Sequence, residues 1–348
     1  MNPYIMTLLL SGLGLGTTMT FASSHWLLAW MGLEINTLAI IPLMTRQHHP
    51  RAIEAATKYF LTQATAAATL FFATMTNAWL TGQWDIQQMT HPVAMTMAIL
   101  ALAMKVGLAP LHTWLPEVLQ GLDMTTGLIL STWQKLAPFA LLLQIPKSDQ
   151  TVFTILALSS TLVGGWGGLN QTQLRKIIAY SSIAHLGWMM LIIQFAPSLT
   201  LLALMLYFVM TFSAFLTFKI NDATTINSLA TSWSKAPILT STAPMILLSL
   251  GGLPPLTGFM PKWIILQELA KQGLPATATI ASLTALLSLN FYLRLSYAMA
   301  LTMSPNNLSG TTPWRLCSSQ ISLPLSTSTL MACALLPLTP AVTALLTF

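Results

Sequence analysis

Glu34 in WMGLEINTLAIIPLM, Lys105 in AMKVGLAPLHTWLPEVLQG, Lys135 in WQKLAP and Lys262 in GLPPLTGFMPK each sit inside or beside apolar runs, where ionisable groups are costly. At roughly 1.5 Å per helical residue, Glu34 lies about 15 Å into its run, near the centre of a hydrocarbon layer about 30 Å thick. A charge at that depth costs on the order of 3 kcal/mol or more, so each should face a protein interior and a partner. One Glu/Lys pair reads equally well as a pin between helices or as a functional pair. Three lysines with one glutamate bury an excess of positive charge that a purely structural role does not need. A lysine taken out of water gives up its proton more readily, and an approaching carboxylate reverses this, so such a set can hold and hand on protons. His112 and His185 add imidazoles, which titrate near neutrality. Each is either a relay member or a hydrogen-bonded packing residue. His25, His48, His49 and His91 fall in loops or at helix ends.

Two of the lysines adjoin a repeated motif. Gly107 to Glu117 reads GLAPLHTWLPE and Gly252 to Lys262 reads GLPPLTGFMPK, with identities at Gly107/Gly252, Leu108/Leu253, Pro110/Pro255, Leu111/Leu256 and Pro116/Pro261, and Phe259 in place of Trp114. Proline removes an intrahelical hydrogen bond, and the freed backbone groups find no partner in lipid, so each break must face protein or water. A single such break reads as a packing kink. Two in register, each near a lysine, favour interrupted helices that line a polar path.

The elements that carry these residues are membrane spans. The 348 residues are 54% hydrophobic and 6% charged, against about 25% charged in soluble domains. Apolar runs predict helices over 3–21, 24–44, 57–80, 92–120, 123–144, 151–169, 174–195, 198–219, 237–271, 275–302 and 322–346. Counting each broken span as one crossing puts Arg46, Arg51, Lys58, Arg175, Lys176, Lys219, Lys235, Arg294 and Arg315 on one side and only Lys147 and Lys271 on the other. This is the asymmetry the positive-inside rule requires, with the N-terminus on the positive side and the C-terminus opposite. The expected fold is therefore all-α and polytopic, with about 11 transmembrane helices: two five-helix inverted repeats, each with one broken helix, and a C-terminal helix. The expected units are 1–146, with a core from about residue 23, then 147–302, and then 303–348 as a loop and last helix.

Other features exclude alternatives. The basic residues are scattered, which argues against nucleic acid as a partner and for the lipid bilayer. Cys317 and Cys333 form no CxxC motif, so no iron-sulfur centre is expected, and no Walker loop, dinucleotide fingerprint or metal-ligand cluster is present. MNPYIMTLLL has no basic n-region or Arg-rich presequence and is expected to open the first span. Glu54, Lys58, Lys219 and Arg294 lie near span ends, as do Asp85, Asp123, Asp149 and Asp222, at span ends or in loops. They serve topology and interfaces. Glu117 follows the first break but sits near a surface, where it could cap a helix. The 20 Met and 11 Trp are expected in packing and interfacial belts.

Together the broken pair, the glutamate in WMGLEINTLAIIPLM, the lysine in AMKVGLAPLHTWLPEVLQG, WQKLAP and NQTQLRKIIAYSSIAHLGW resemble the antiporter-like subunits of respiratory complex I over essentially the whole chain. Bacterial members of that family carry three further N-terminal spans for which this sequence offers no candidate. The resemblance implies that Glu34 pairs with Lys105, that Lys135 is the central relay, and that Lys262, where some sister subunits have a carboxylate, connects onward. It also implies proton translocation in the mitochondrial inner membrane, with the N-terminus in the matrix and the C-terminus in the intermembrane space. The implied partners are neighbouring antiporter-like and accessory subunits of the membrane arm. NADH, FMN, iron-sulfur clusters and ubiquinone are expected on other subunits, with no cofactor on this chain. Two further readings compete: a stand-alone or small-complex cation/proton antiporter, and a membrane scaffold.

Overall fold

The computed structural model describes residues 3–46, 48–146, 150–234, 237–302, 322–341 and 344. Lys147, Asp149, Lys235, Arg315 and Cys317 lie outside the described residues, as does most of the expected C-terminal loop. Among the described residues the secondary structure is helical, with two isolated β-bridges and no strand. Backbone contacts cluster into two units, 1–156 and 157–348, and the division falls inside a helix.

The first unit contains α1 (Pro3–Ala22), α2 (Trp26–Met44), α3 (Pro50–Thr81), α4 (Pro92–Val106), α5 (Trp114–Gly121), α6 (Met124–Ser131) and α7 (Trp133–Gln144). α8 (Gln150–Gly168) carries the boundary. The second unit contains α9 (Leu174–Ile192), α10 (Pro197–Ile220), the short α11 (Ile226–Ala230), α12 (Pro237–Gly251), α13 (Phe259–Lys271), α14 (Pro275–Leu301) and α15 (Ser322–Ala334). By length and composition α1, α2, α8, α10 and α14 are each long and apolar enough to cross a membrane. Prolines open α3, α4, α10 and α14. At that position their missing N–H removes nothing and their fixed φ suits the helix.

The many serines and threonines in these apolar helices are satisfied without water. Thr17, Thr74, Ser160, Ser182, Thr217 and Ser249, for example, donate to carbonyls three residues back. Such bonding removes most of the cost of a hydroxyl in lipid. Indole N–H groups join helices within each unit: Trp30 donates to Ala67 O at 3.1 Å, and Trp233 donates to Met299 O at 2.9 Å.

Four expectations need correction. α3 begins at Pro50 rather than near residue 57, because His49 caps it, accepting from the Arg51 amide at 3.2 Å. Arg51, Glu54 and Lys58 are thus helical. The span expected over 123–144 is interrupted at Thr132, upstream of Pro138, which cannot donate to the Gln134 carbonyl. Ser131 and Thr132 both turn their hydroxyls back onto Leu128 O, at 3.0 and 2.7 Å. The helix expected over 322–346 is broken after Ala334, ahead of Pro337, by a short turn at Leu336–Leu338, and helix resumes at residues 339–341. Short helical turns at Ile86–Gln88, Ile226–Ala230 and Thr231–Ser234 occupy segments read as loops.

A correspondence invisible in the sequence links the units. In the first, Trp26 N–H donates to Trp84 O and Ile86 N–H to Ser24 O, making an antiparallel bridge between His25 and Asp85. In the second, Leu174 N–H donates to Thr224 O and Ile226 N–H to Thr172 O, bridging Gln173 and Thr225. Each bridge ties the start of a unit's second long helix to the segment after its third.

Candidate functional site

In the first unit α4 stops at Val106 because Gly107 adopts the left-handed conformation, φ 89°, as C-cap. The amides of Gly107 and Leu108 both donate to Ala103 O, each at 2.9 Å. Helix resumes at Trp114, whose indole donates back across the break to Met104 O at 3.1 Å and whose ring meets Tyr59 edge-on, centroids 5.7 Å apart. Lys105 is in the last turn of α4, where the helix dipole favours a cation. Its side chain is buried, and its Nζ has no hydrogen-bond partner.

Lys135 is buried in α7, between the interruption at Thr132 and Pro138. Lys105 and Lys135 line one cavity of about 10 Å³, with Asn36, Thr37, Tyr59, Gln63 and Gln134 also on its wall. That volume holds about one water. Glu34 is half-buried on α2, and its Oε2 lacks a partner. The expected direct contact with Lys105 at about 4 Å is not made. The carboxylate acts on Lys105 and Tyr59 through space. His112 stands in the break, half-buried, with Nδ1 3.2 Å from Pro110 O. Neither Glu34 nor His112 is on the cavity wall. Glu117 does not cap a helix end; it is exposed and paired at 2.8 Å with Lys58, which also holds Glu54 at 2.8 Å.

In the second unit the same backbone device recurs. Gly252 has φ 80°, and the amides of Gly252 and Leu253 turn back onto Leu248 O at 3.1 and 3.3 Å. Here Lys262, buried in the first turn of α13, donates across the break to Gly251 O at 2.7 Å. His185 is buried in α9, its ring centroid 5.6 Å from that of Tyr207. His185 and Lys262 line a cavity of about 10 Å³ with Ser181, Ser288 and Tyr292. The Tyr207 hydroxyl bonds Ser182, and Tyr292 lies beside Ser181.

Structure therefore groups the residues as Lys105 with Lys135 and His185 with Lys262. The motifs did not single out Asn36, Gln63, Gln134, Tyr207 or Tyr292. The available signal was an amide or phenol within an apolar helix, as with Gln63 in FLTQATAAATLFF. Among the described residues no group of three His, Cys, Asp or Glu side chains could hold a metal ion.

Residues 23–288 match the family model described as NADH:quinone oxidoreductase/Mrp antiporter, transmembrane, and residues 289–343 match NADH dehydrogenase subunit 2 C-terminus. The chain is 71% identical over 347 residues to NADH-ubiquinone oxidoreductase chain 2 of Oncorhynchus mykiss, covering 99% of each chain. It is 70% identical over 348 residues to that of Salmo salar, covering 100% of each. It superposes on a chain of respiratory complex I from Thermus thermophilus with TM-score 0.85 and 30% identity, over 97% of this chain and 80% of that one. A chain of the Mrp complex from Dietzia sp. shares the fold, with TM-score 0.76 and 17% identity over 95% and 74% of the two chains. With its two glycine-capped breaks and buried lysines, the chain belongs to the NADH:quinone oxidoreductase/Mrp antiporter family of membrane subunits.

Proposed function

We propose that the chain is a core membrane-arm subunit of the proton-translocating NADH:ubiquinone oxidoreductase and moves protons through Glu34, Lys105, Lys135, His185 and Lys262, with His112 at the first break. The observation that carries this reading is the convergence of Lys105 and Lys135 on one buried cavity beside a broken helix. A lysine there holds a proton only while its surroundings supply negative charge or hydrogen bonds. Glu34, acting from a distance on Lys105, supplies that control. Movement of α2 relative to α4 would change the interaction and pass the proton toward Lys135.

On this reading redox chemistry occurs elsewhere in the complex. NADH, FMN, iron-sulfur clusters and ubiquinone bind other subunits, and neighbouring antiporter-like and accessory subunits cover parts of this one. The protein resides in the mitochondrial inner membrane, crossing it about eleven times with its N-terminus in the matrix, as the basic-residue asymmetry supports.

The test is protons pumped per NADH oxidised in reconstituted complex, with assembly checked by native gel. Lys135→Met should abolish coupling with assembly intact. Glu34→Gln and Lys105→Met should each slow coupled turnover, and the double variant should be no worse than the more damaged single one. Full pumping in assembled Lys135→Met complex, or additive losses in the double variant, would overturn the relay.

A further inference from the structure

The first cavity's wall holds a side chain that the motifs do not explain. Gln63, on α3, is 3% exposed and its Nε2 has no hydrogen-bond partner; Lys105 is 5% exposed and its Nζ has none either. Both side chains line the same cavity, and Lys135 lines it too. Buried donors require an acceptor, and these two face a space of about 10 Å³. One water fits there, whereas chloride or a carboxylate does not. Water also suits the chemistry, since it accepts two hydrogen bonds while keeping two hydrogens to donate.

We propose that Gln63 is a positioning residue which, with Lys105, holds one water in this cavity, and that the proton leaving Lys105 for Lys135 travels through that water. The Lys105 ammonium donates to one lone pair of the water oxygen and the Gln63 amide to the other. A water hydrogen then points at the amine of Lys135 when that amine is unprotonated. Transfer breaks one N–H bond at Lys105 and one O–H bond of the water, and forms one O–H bond at the water and one N–H bond at Lys135. The water is regenerated and one proton has moved. Gln63 gains and loses nothing; it fixes the oxygen so that the shuttle has one geometry. In FLTQATAAATLFF it is the sole amide, which accounts for a polar group at that depth of α3.

This inference rests on the proton-relay reading, so its test includes Lys105→Met as a reference. In assembled complex, Gln63→Met, similar in length but without a donor, should lower coupled turnover about tenfold. It should also enlarge the rate difference between H2O and D2O, because proton transfer then limits the cycle; a purely structural role would leave that difference unchanged. Gln63→Asn, which keeps the amide, should recover part of the loss. Unchanged turnover in Gln63→Met with Lys105→Met impaired overturns this inference alone, and unchanged turnover in both overturns the relay itself. Should Gln63→Met fail to assemble, a density map of the unsubstituted complex decides. A water within about 3 Å of both Gln63 Nε2 and Lys105 Nζ supports the assignment. The two side chains bonded to other protein atoms instead would sink it.

Discussion

The two breaks share a backbone and differ in what meets their carbonyls. At each, a left-handed glycine ends a helix and the chain turns through a Leu-x-Pro-Leu segment before helix resumes. In the first, the Trp114 indole donates to Met104 O, and Lys105 Nζ has no hydrogen-bond partner. In the second, Phe259 replaces the tryptophan and has no N–H to offer, and Lys262 reaches back from the far side to Gly251 O. One motif thus builds two kinds of lysine site. Both lysines lie at the negative end of a helix dipole, but the first is poised without a hydrogen bond, whereas the second is held on a last-turn carbonyl.

The largest difference should appear on removing each lysine. Lys262→Met leaves a buried carbonyl without its donor, a loss of about 1–3 kcal/mol, and should lower both pumping and the thermal midpoint of the assembled complex. Lys105→Met removes a buried charge that bonds nothing, so pumping should fall while stability holds or rises. Parallel melting curves and proton-to-electron ratios check this; equal destabilisation by the two variants would erase the distinction.

This contrast marks how far the sequence could be read. Both breaks, the three buried lysines and the all-helical fold were legible, because proline, glycine and ionisable residues inside apolar runs have few tolerable environments. Pairing was not. Glu34 and Lys105 lie on separate helices, and nothing in their spacing sets the distance between them; the structure leaves them out of contact. Partners such as Trp114 for Met104 O depend on tertiary geometry across a non-helical turn. The interruption at Thr132 had a signal in Ser131, Thr132 and Pro138 together, each individually common in membrane helices.

A smaller effect is expected from the glycines. Any Cβ at these φ values costs about 1–2 kcal/mol, so Gly107→Ala and Gly252→Ala should both destabilise. The neighbours differ, however. A Cβ on Gly107 would meet Leu115 Cδ1 at 2.8 Å, whereas one on Gly252 would meet the Lys262 side chain, with Nζ at 3.0 Å. Gly107→Ala should therefore act on stability first. Gly252→Ala should push Lys262 off the Gly251 carbonyl and reduce pumping beyond what its stability loss explains. Pumping measured per assembled complex separates the two, and equal pumping in both variants would show that the Lys262 contact is dispensable.

The smallest effect should come from Glu117, and it tests whether the repeat's symmetry extends to function. Glu117 and Lys262 occupy the same final position of the repeated motif, each directly after its conserved-in-register proline, Pro116 or Pro261. Their surroundings are opposite: the Lys262 side chain is buried against its break, whereas that of Glu117 is 52% exposed and paired with Lys58. Exposed ion pairs hold little energy, because water and salt screen them and two long side chains must be ordered to form them. Lys58 would also keep Glu54 as a partner if Glu117 were lost. Glu117→Gln should therefore leave pumping, assembly and the thermal midpoint within error of the unsubstituted complex, with any residual effect vanishing as salt is raised. A pumping loss comparable to that of Lys262→Met, persisting at high salt, would mean that the first break also works through its terminal charged residue. The division between a poised and a held lysine would then give way to two equivalent sites.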